Sequence, residues 1–100
     1  MLGDDKDKGG IYKITRISTG EIYIGKAASF KDRWGQHIKS AFNVGTIADS
    51  LLHRKMREDG ITNYTFEVLE ILPTDKQSER EKYWIEFYNS KIYGLNQRLG

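Results

Sequence analysis

Apolar and β-branched residues recur in two short runs near the start of the chain, Ile11 to Ile17 and Glu21 to Gly25. Ser18, Thr19 and Gly20 lie between these runs, and small polar residues of this kind are typical of tight turns. The pattern therefore predicts a β-hairpin.

The length of the hairpin loop decides which side chains share a face of the sheet. A two-residue turn at Thr19 and Gly20 places Tyr12 and Tyr23 on the same face, whereas a three-residue turn would separate them. With the two-residue turn, the other face carries the isoleucines of both runs, Ile11, Ile17, Ile22 and Ile24. Because this grouping suits one buried face, it favours the even loop.

A spacing of three to four residues between apolar positions begins after the hairpin and predicts two helices. Ser29 is a suitable N-cap for a helix from Phe30 to Phe42, and Thr46 is suitable for a second helix from Ile47 to Asp59. Gly60 is suited to the position that follows a helix. The predicted inward-facing residues are Phe30, Trp34, His37, Ile38 and Ala41 in the first helix, and Ile47, Leu51, Leu52 and Met56 in the second.

Tyr64 to Leu72 has the composition of a third strand, which Pro73 ends. Thr74 and Gln77 have the spacing of a capping box for a last helix, from about Asp75 to Tyr88. The order β-β-α-α-β-α predicts an α/β (α+β) fold in which a small antiparallel sheet of three strands packs against three helices.

The composition is that of one small globular domain, with 100 residues, 38% hydrophobic and 30% charged. Residues 1–9 are charged and glycine-rich and are predicted to be a flexible tail, which leaves 10–100 as the folded domain. No apolar run is long enough to span a bilayer, and the absence of cysteine excludes disulfides, thiol catalysis and Cys-ligated zinc. We expect a cytoplasmic, intracellular monomer with no membrane partner.

The charges are unevenly distributed. From Lys26 to Arg57 there are seven basic residues and two acidic ones, whereas Glu58 to Ser90 contains three basic residues and eight acidic ones. A basic side of this kind attracts a polyanion such as DNA, although two solvated helix faces would give the same counts.

Glu81 shares the apolar side of the last helix with Trp84, Ile85 and Tyr88, at 100° per residue. A carboxylate on a buried stripe is costly unless it is paired, protonated or bound to a cation. An inward salt bridge to Arg or Lys and a Mg²⁺ site are both compatible with this position.

Arg33 and His37 are four residues apart and therefore project from the same side of the first helix. A guanidinium can neutralise charge on a phosphorane, and a neutral imidazole can accept a proton from water. A surface arginine and a boundary histidine are the alternative. Tyr12 and Tyr23 are core aromatics by default. A phenol is a poor base at neutral pH unless cations such as Lys26 and Arg33 lower its pKa or the substrate removes its proton.

The order Gly10-Ile11-Tyr12, Tyr23-Ile24-Gly25, Arg33 with His37, Glu81 and Asn96 resembles the GIY-YIG endonuclease family from about Gly9 to Asn96. The segments near Trp84 and before Asn96 are most similar to phage intron-encoded homing endonucleases. Tyr23 to Ala27 is also similar to the incision subunit of bacterial excision repair.

The resemblance implies a DNA endonuclease that depends on Mg²⁺ or Mn²⁺ and hydrolyses phosphodiesters. It implies that Glu81 holds the metal, that Arg33 stabilises the phosphorane and that Asn96 supports the network. Tyr23 would activate water with help from Tyr12, His37 or Lys26, so the identity of the general base stays open. The lysines expected to bind the substrate are Lys26, Lys31 and Lys39.

Two observations limit the resemblance. Homing members of the family carry a catalytic histidine shortly after the first helix, where alignment on Gly45 places Ile47. No recognition helix or basic arm is visible beyond the predicted domain. We therefore expect either a catalytic fragment whose target specificity comes from a separate domain, or a small single-domain nuclease with little target preference. A DNA-binding module without catalysis and a purely structural domain are the alternatives to a nuclease. His53, on the second predicted helix, is interpreted as a surface residue.

Overall fold

The computed structural model describes residues 8–42, 51–89 and 94. The strands are β1 (Gly10–Arg16), β2 (Ile22–Ala27) and β3 (Tyr64–Ile71), and the helices are α1 (Phe30–Phe42), α2 (Leu51–Asp59) and α3 (Thr74–Tyr88). The predicted order and fold class are confirmed. A short 3₁₀ turn at Ile61–Asn63, which the sequence did not predict, connects α2 to β3.

The three strands form one antiparallel sheet in the order β2-β1-β3. The amide of Arg16 donates to the carbonyl of Glu21 at 2.8 Å and closes a loop over 17–20, so the predicted two-residue turn is wrong. Because the register is shifted by an even number of residues, the predicted faces are kept. Tyr23 lies opposite Ile14, on the same face as Tyr12.

Each face of the sheet has its own apolar cluster. Helices α1 and α2 cover the face that carries Tyr12, and α3 covers the face that carries Ile11. Ile24 and Ile85 complete the smaller cluster under α3. Ile17, which the alternation assigned to this face, lies in the hairpin loop and is 56% exposed. The larger cluster is built from Tyr12, Ile14, Ala27, Phe30, Trp34, Ala41, Leu52, Met56, Tyr64 and Phe66.

Helix α1 has the predicted bounds. Ser29 caps it, since its Oγ accepts a hydrogen bond from the amide of Asp32 at 3.4 Å. Within the predicted stripe only Ile38 is half-buried rather than buried. Residues 43–50 lie outside the described part of the chain, so the predicted start of α2 at Thr46 and Ile47 is untested. The end of α2 is as predicted, and Gly60 follows with a φ of +85°.

The start of α3 differs from the prediction. Thr74 is the first helical residue and Pro73 precedes it, with no side-chain capping bond. The side chain of Gln77 is buried and donates to the carbonyl of Leu72 at 3.0 Å, so the predicted capping box is wrong. Strand β3 ends at Ile71, one residue before the predicted Leu72. Gln77 therefore satisfies a carbonyl that lies just beyond the strand.

The folded part of the chain begins earlier than predicted. The carbonyl of Lys8 accepts a hydrogen bond from the amide of Phe30 at 2.9 Å, and the carbonyl of Gly9 accepts one from Leu72 at 3.1 Å. These two residues therefore do not belong to a flexible tail, and residues 1–7 lie outside the described part. Within 8–42 and 51–89, no helix has both the length and the apolar character that a membrane span requires.

Candidate active site

Tyr12 is the centre of a cluster of polar side chains beneath α1. Its ring is fully buried and stacks on Phe66 with the centroids 4.7 Å apart. Gly25 lies opposite it on β2, and a Cβ atom at Gly25 would collide with the Tyr12 hydroxyl. A glycine at this register position therefore lets the phenol extend across the edge strand.

Arg33 connects the two tyrosines. Its Nε donates to the Tyr12 hydroxyl at 3.4 Å, and its Nη1 donates to the amide oxygen of Gln36 at 3.0 Å. The rings of Tyr12 and Tyr23 lie with their centroids 6.3 Å apart. Arg33 also interacts with Tyr23 through its charge and through hydrogen bonding. The guanidinium is thus held beside both phenols by partners that leave it charged.

His37 is buried within the same cluster. Its Nε2 lies 2.6 Å from the Tyr12 hydroxyl and its Nδ1 lies 2.9 Å from Nε2 of His53. Burial, followed by the charge of Arg33 and the neighbouring His53, lowers the pKa of His37 to about 3. The imidazole is therefore neutral at physiological pH. His53 is half-buried in this network, so its interpretation as a surface residue is wrong.

The two phenols are not made acidic by their surroundings. Burial raises the pKa of Tyr12 and of Tyr23, and the opposing effect of Arg33 is smaller in both cases. Lys26, which the sequence suggested as a second cation for the phenols, donates instead to Ser78 at 2.7 Å. It lies one residue after Gly25, so its side chain points to the α3 face of the sheet.

Glu81 faces inward from α3, as its helical spacing predicted, and is only 6% exposed. Among the described residues its Oε1 has no hydrogen-bond partner and the carboxylate forms no ion pair, so the salt-bridge alternative is wrong for that part of the chain. Burial raises the pKa of the Glu81 carboxyl, against the charges of Lys26 and Arg33 and a hydrogen bond from the Lys26 amide.

The carboxylate of Glu81 lies within electrostatic range of the cluster on the other face. Its charge interacts with Tyr12, Tyr23 and Arg33. The amide of Lys26, on the edge strand β2, donates to the carboxylate, so Glu81 reaches the edge that the phenols also approach. A buried carboxylate, a guanidinium and two phenols therefore lie within electrostatic range of one another near one edge of the sheet.

Comparison with known proteins identifies the family of the chain. Residues 8–96 match the family model described as the GIY-YIG catalytic domain. The chain belongs to the GIY-YIG family.

The relatives of this GIY-YIG domain include "Intron-associated endonuclease 1" of Enterobacteria phage T4. The two are 35% identical over 91 residues, which cover 89% of this chain and 36% of the relative. The chain thus spans about a third of the length of that curated relative.

Two solved structures of the catalytic domain of the endonuclease I-TevI share the fold at 33% identity. A point mutant of that domain superimposes with a TM-score of 0.83 and covers 93% of this chain and 96% of its own. The other structure has a TM-score of 0.79 and covers 91% and 99%. The three-stranded sheet with its helices is therefore the fold of the I-TevI catalytic domain.

The glycines of both GIY-YIG tripeptides have a steric purpose in this fold. Gly25 makes room for the Tyr12 hydroxyl, as described above. A Cβ atom at Gly10 would collide with the backbone carbonyl of Glu70, where β1 meets β3 next to an irregularity in the register. Each glycine therefore permits a close approach that any larger residue would prevent.

The GIY-YIG site gathers five of the predicted residues, and Lys26 contacts it through its backbone amide and its charge on Glu81. Lys31 and Lys39 are exposed on α1 and take no part in the cluster. Asn96 lies outside the described residues, so its predicted role stays a prediction. His53 is the residue that sequence reasoning missed. The residues brought together are Tyr12, Tyr23, Arg33, His37 and Glu81.

Proposed function

We propose that this GIY-YIG domain is a divalent-cation-dependent DNA endonuclease that hydrolyses a phosphodiester bond and nicks one strand. The observation that carries the proposal is the carboxylate of Glu81, which is buried within electrostatic range of Arg33 and has an oxygen without a partner among the described residues. A buried carboxylate in this condition is costly to the fold, and a cation and a phosphate between Glu81 and Arg33 would offset that cost.

The donor set fits a hard cation with few protein ligands. Among the described residues there is no group of three or more His, Asp or Glu side chains that could cage a metal. Mg²⁺ or Mn²⁺ suits a site with one carboxylate, because such ions keep several waters and bind substrate phosphate directly. When bound at Glu81, the cation would supply positive charge to a phosphate oxygen and to the leaving group.

Arg33 is the residue proposed to stabilise the charge that develops on phosphorus. Its hydrogen bonds to Tyr12 and Gln36 orient the guanidinium before a substrate arrives, so little reorganisation is needed in the transition state. The planar fork of Arg matches two phosphate oxygens at once.

Tyr23 is the residue proposed to contact the attacking water. It is half-buried, whereas Tyr12 and His37 are 0% and 2% exposed. Both ring nitrogens of His37 are already engaged, which leaves neither to accept a proton from water. The geometry therefore supports Tyr23 over His37 as the group that positions water, with Tyr12 and His37 orienting it from behind.

DNA is the proposed partner, and the enzyme is proposed to act inside the cell as a monomer. Lys31 and Lys39 are exposed on α1, the helix that also carries Arg33, and Lys26 is exposed at the edge strand. Contacts of these lysines with phosphates would make affinity fall as the salt concentration rises.

A plasmid-nicking assay tests the function. We expect supercoiled DNA to be nicked with Mg²⁺ and EDTA to abolish the reaction. Glu81→Gln should reduce the rate by roughly 10³-fold, since several kcal/mol of transition-state stabilisation are lost. Glu79→Gln is the matched control, because Glu79 is exposed on the same helix, and it should nick normally.

The same assay separates the proposal from its alternative. Salt-sensitive DNA binding without nicking in any buffer would favour a DNA-binding module that keeps the nuclease fold. Undiminished nicking by Glu81→Gln would show that the cation site is assigned to the wrong residue.

A further inference from the structure

A line of hydrogen bonds runs from the proposed phosphate site to α2. Arg33 donates to the Tyr12 hydroxyl, which lies 2.6 Å from Nε2 of His37, and Nδ1 of His37 lies 2.9 Å from Nε2 of His53. The proposed function uses the first three of these residues. It gives no role to His53, although His53 engages the one ring nitrogen of His37 that Tyr12 does not.

The distances indicate where the protons lie along this line. His37 is neutral and therefore carries one N–H. The separation of 2.6 Å between the Tyr12 oxygen and Nε2 is in the range of an O–H donor and shorter than N–H donors usually give. This separation favours Tyr12 as the donor to Nε2. In that arrangement the imidazole proton is on Nδ1 and is donated over 2.9 Å to Nε2 of His53, which is then the unprotonated nitrogen of the His53 ring.

We propose that His53 is a positioning residue that acts on the active site through His37. By accepting the Nδ1 proton, it holds His37 in the tautomer whose Nε2 accepts the Tyr12 hydroxyl. The lone pairs of the Tyr12 oxygen are then left for Arg33, which also interacts with Tyr23. This inference rests on the proposed function, since it explains how Arg33 is oriented beside Tyr23 and the phosphate.

The alternative tautomer would reverse the donor and acceptor at Tyr12. Without an acceptor at position 53, a proton on Nδ1 of His37 would be buried and unsatisfied, which is unfavourable. The proton would move to Nε2 and point at the Tyr12 oxygen, where it would compete with Arg33 for the lone pairs. The hydroxyl of Tyr12 would then rotate away from His37.

The tautomer of His37 can be measured without DNA or metal. In ¹⁵N-labelled protein, long-range proton–nitrogen spectra distinguish a protonated Nδ1 from a protonated Nε2. We expect Nδ1 to be protonated in the wild type and Nε2 in His53→Phe, which keeps a ring but removes the acceptor. His53→Gln is the matched control, because its amide oxygen can accept the Nδ1 proton and should preserve the wild-type tautomer.

Nicking kinetics provide the second readout. His53→Phe should lower kcat roughly 10-fold, which is the usual effect of losing a residue that orients a functional side chain from behind. Its affinity for DNA should be unchanged. His53→Gln should retain most of the wild-type rate. A wild-type spectrum with the proton on Nε2, or a tautomer unaffected by His53→Phe, would overturn the inference. If no variant nicks DNA, the proposed function fails while the spectra still decide the tautomer. If His53→Phe does not fold, the wild-type and His53→Gln spectra decide it.

Discussion

The ends of β1 carry two clusters made of the same residue types, an arginine, a tyrosine and a carboxylate. At the hairpin end, Arg16 contacts Asp59 through two hydrogen bonds of 2.6 and 3.0 Å. Tyr64 donates to the same carboxylate at 2.7 Å. Bonds from Arg16 and then Tyr64 lower the pKa of Asp59 to about 2. We call this group the paired cluster.

The cluster of Arg33, Tyr12 and Glu81 has the opposite character. Glu81 forms no ion pair among the described residues, and burial raises its pKa instead of lowering it. Residue type alone therefore does not mark a site. A carboxylate whose oxygens are all satisfied stabilises the fold, whereas one that is held near a guanidinium and left unsatisfied retains the capacity to bind a ligand.

The largest expected difference between the two clusters is in catalysis. Arg33→Lys should reduce the nicking rate about 10²-fold, because a lysine cannot reproduce the planar fork beside the phosphate. Arg16→Lys, the matched change in the paired cluster, should leave the rate of the folded enzyme unchanged. Initial rates on supercoiled plasmid measure both, and an equal loss in the two variants would remove the distinction.

In the paired cluster the main effect should be on stability. Asp59→Asn removes the charge that Arg16 and Tyr64 both contact, and we expect Tm to fall by roughly 5 °C, the shift that one lost interaction gives in a domain of this size. Glu58→Gln is the neighbouring control, because its bond to Lys55 is long at 3.7 Å and 64% of its side chain is exposed. Thermal unfolding by circular dichroism separates the two variants.

His37 gives the site a dependence of stability on pH. Its folded pKa of about 3 is below the ordinary value of 6.5, so the unfolded chain binds a proton that the native state does not. Stability is therefore lost as the pH falls below 6.5, by at most about 1.4 kcal/mol per pH unit. Urea unfolding at pH 7, 6 and 5 measures this slope. His37→Gln should flatten it, and parallel slopes in the two proteins would contradict the assignment.

The smallest expected effect is a gain of stability at Glu81. Because its folded pKa is raised, its stabilising contribution is complete below the ordinary pKa of 4.5 and is lost as the pH rises through the folded pKa. The free energy of unfolding of Glu81→Gln should therefore exceed that of the wild type by about 1 kcal/mol at pH 7. At pH 4 the two proteins should be equally stable. Mg²⁺ should stabilise the wild type alone. Asp59→Asn should instead lower the free energy of unfolding, and a loss of stability in both variants would contradict the difference between the two clusters.

Much of the fold was predictable because local rules determine it. The cap at Ser29 and the spacing of apolar residues gave the bounds of α1, and the parity of the hairpin placed Tyr12 and Tyr23 on one face. The position of Glu81 followed from its spacing relative to Ile85. These features depend on residues close in sequence, where propensity and periodicity are informative.

The remainder depends on packing between distant elements. The raised pKa values of the phenols result from burial under α1, which the sequence alone does not measure. His53 contacts His37 across 16 residues of chain. A signal for it was present, since His53 precedes the buried Met56 by three residues and therefore borders the inward stripe of α2. The capping box failed because Gln77 has a tertiary partner that outcompetes the local one.

The contact between Gly25 and the Tyr12 hydroxyl makes the two signature tripeptides a single unit of design. A scaffold engineer who transplants the tyrosine without its glycine would fill the space that the phenol needs to cross the edge strand. Conversely, a glycine moved without the tyrosine would leave a gap in the sheet edge. Successful transfer of this chemistry to another sheet therefore requires both strands in their original register.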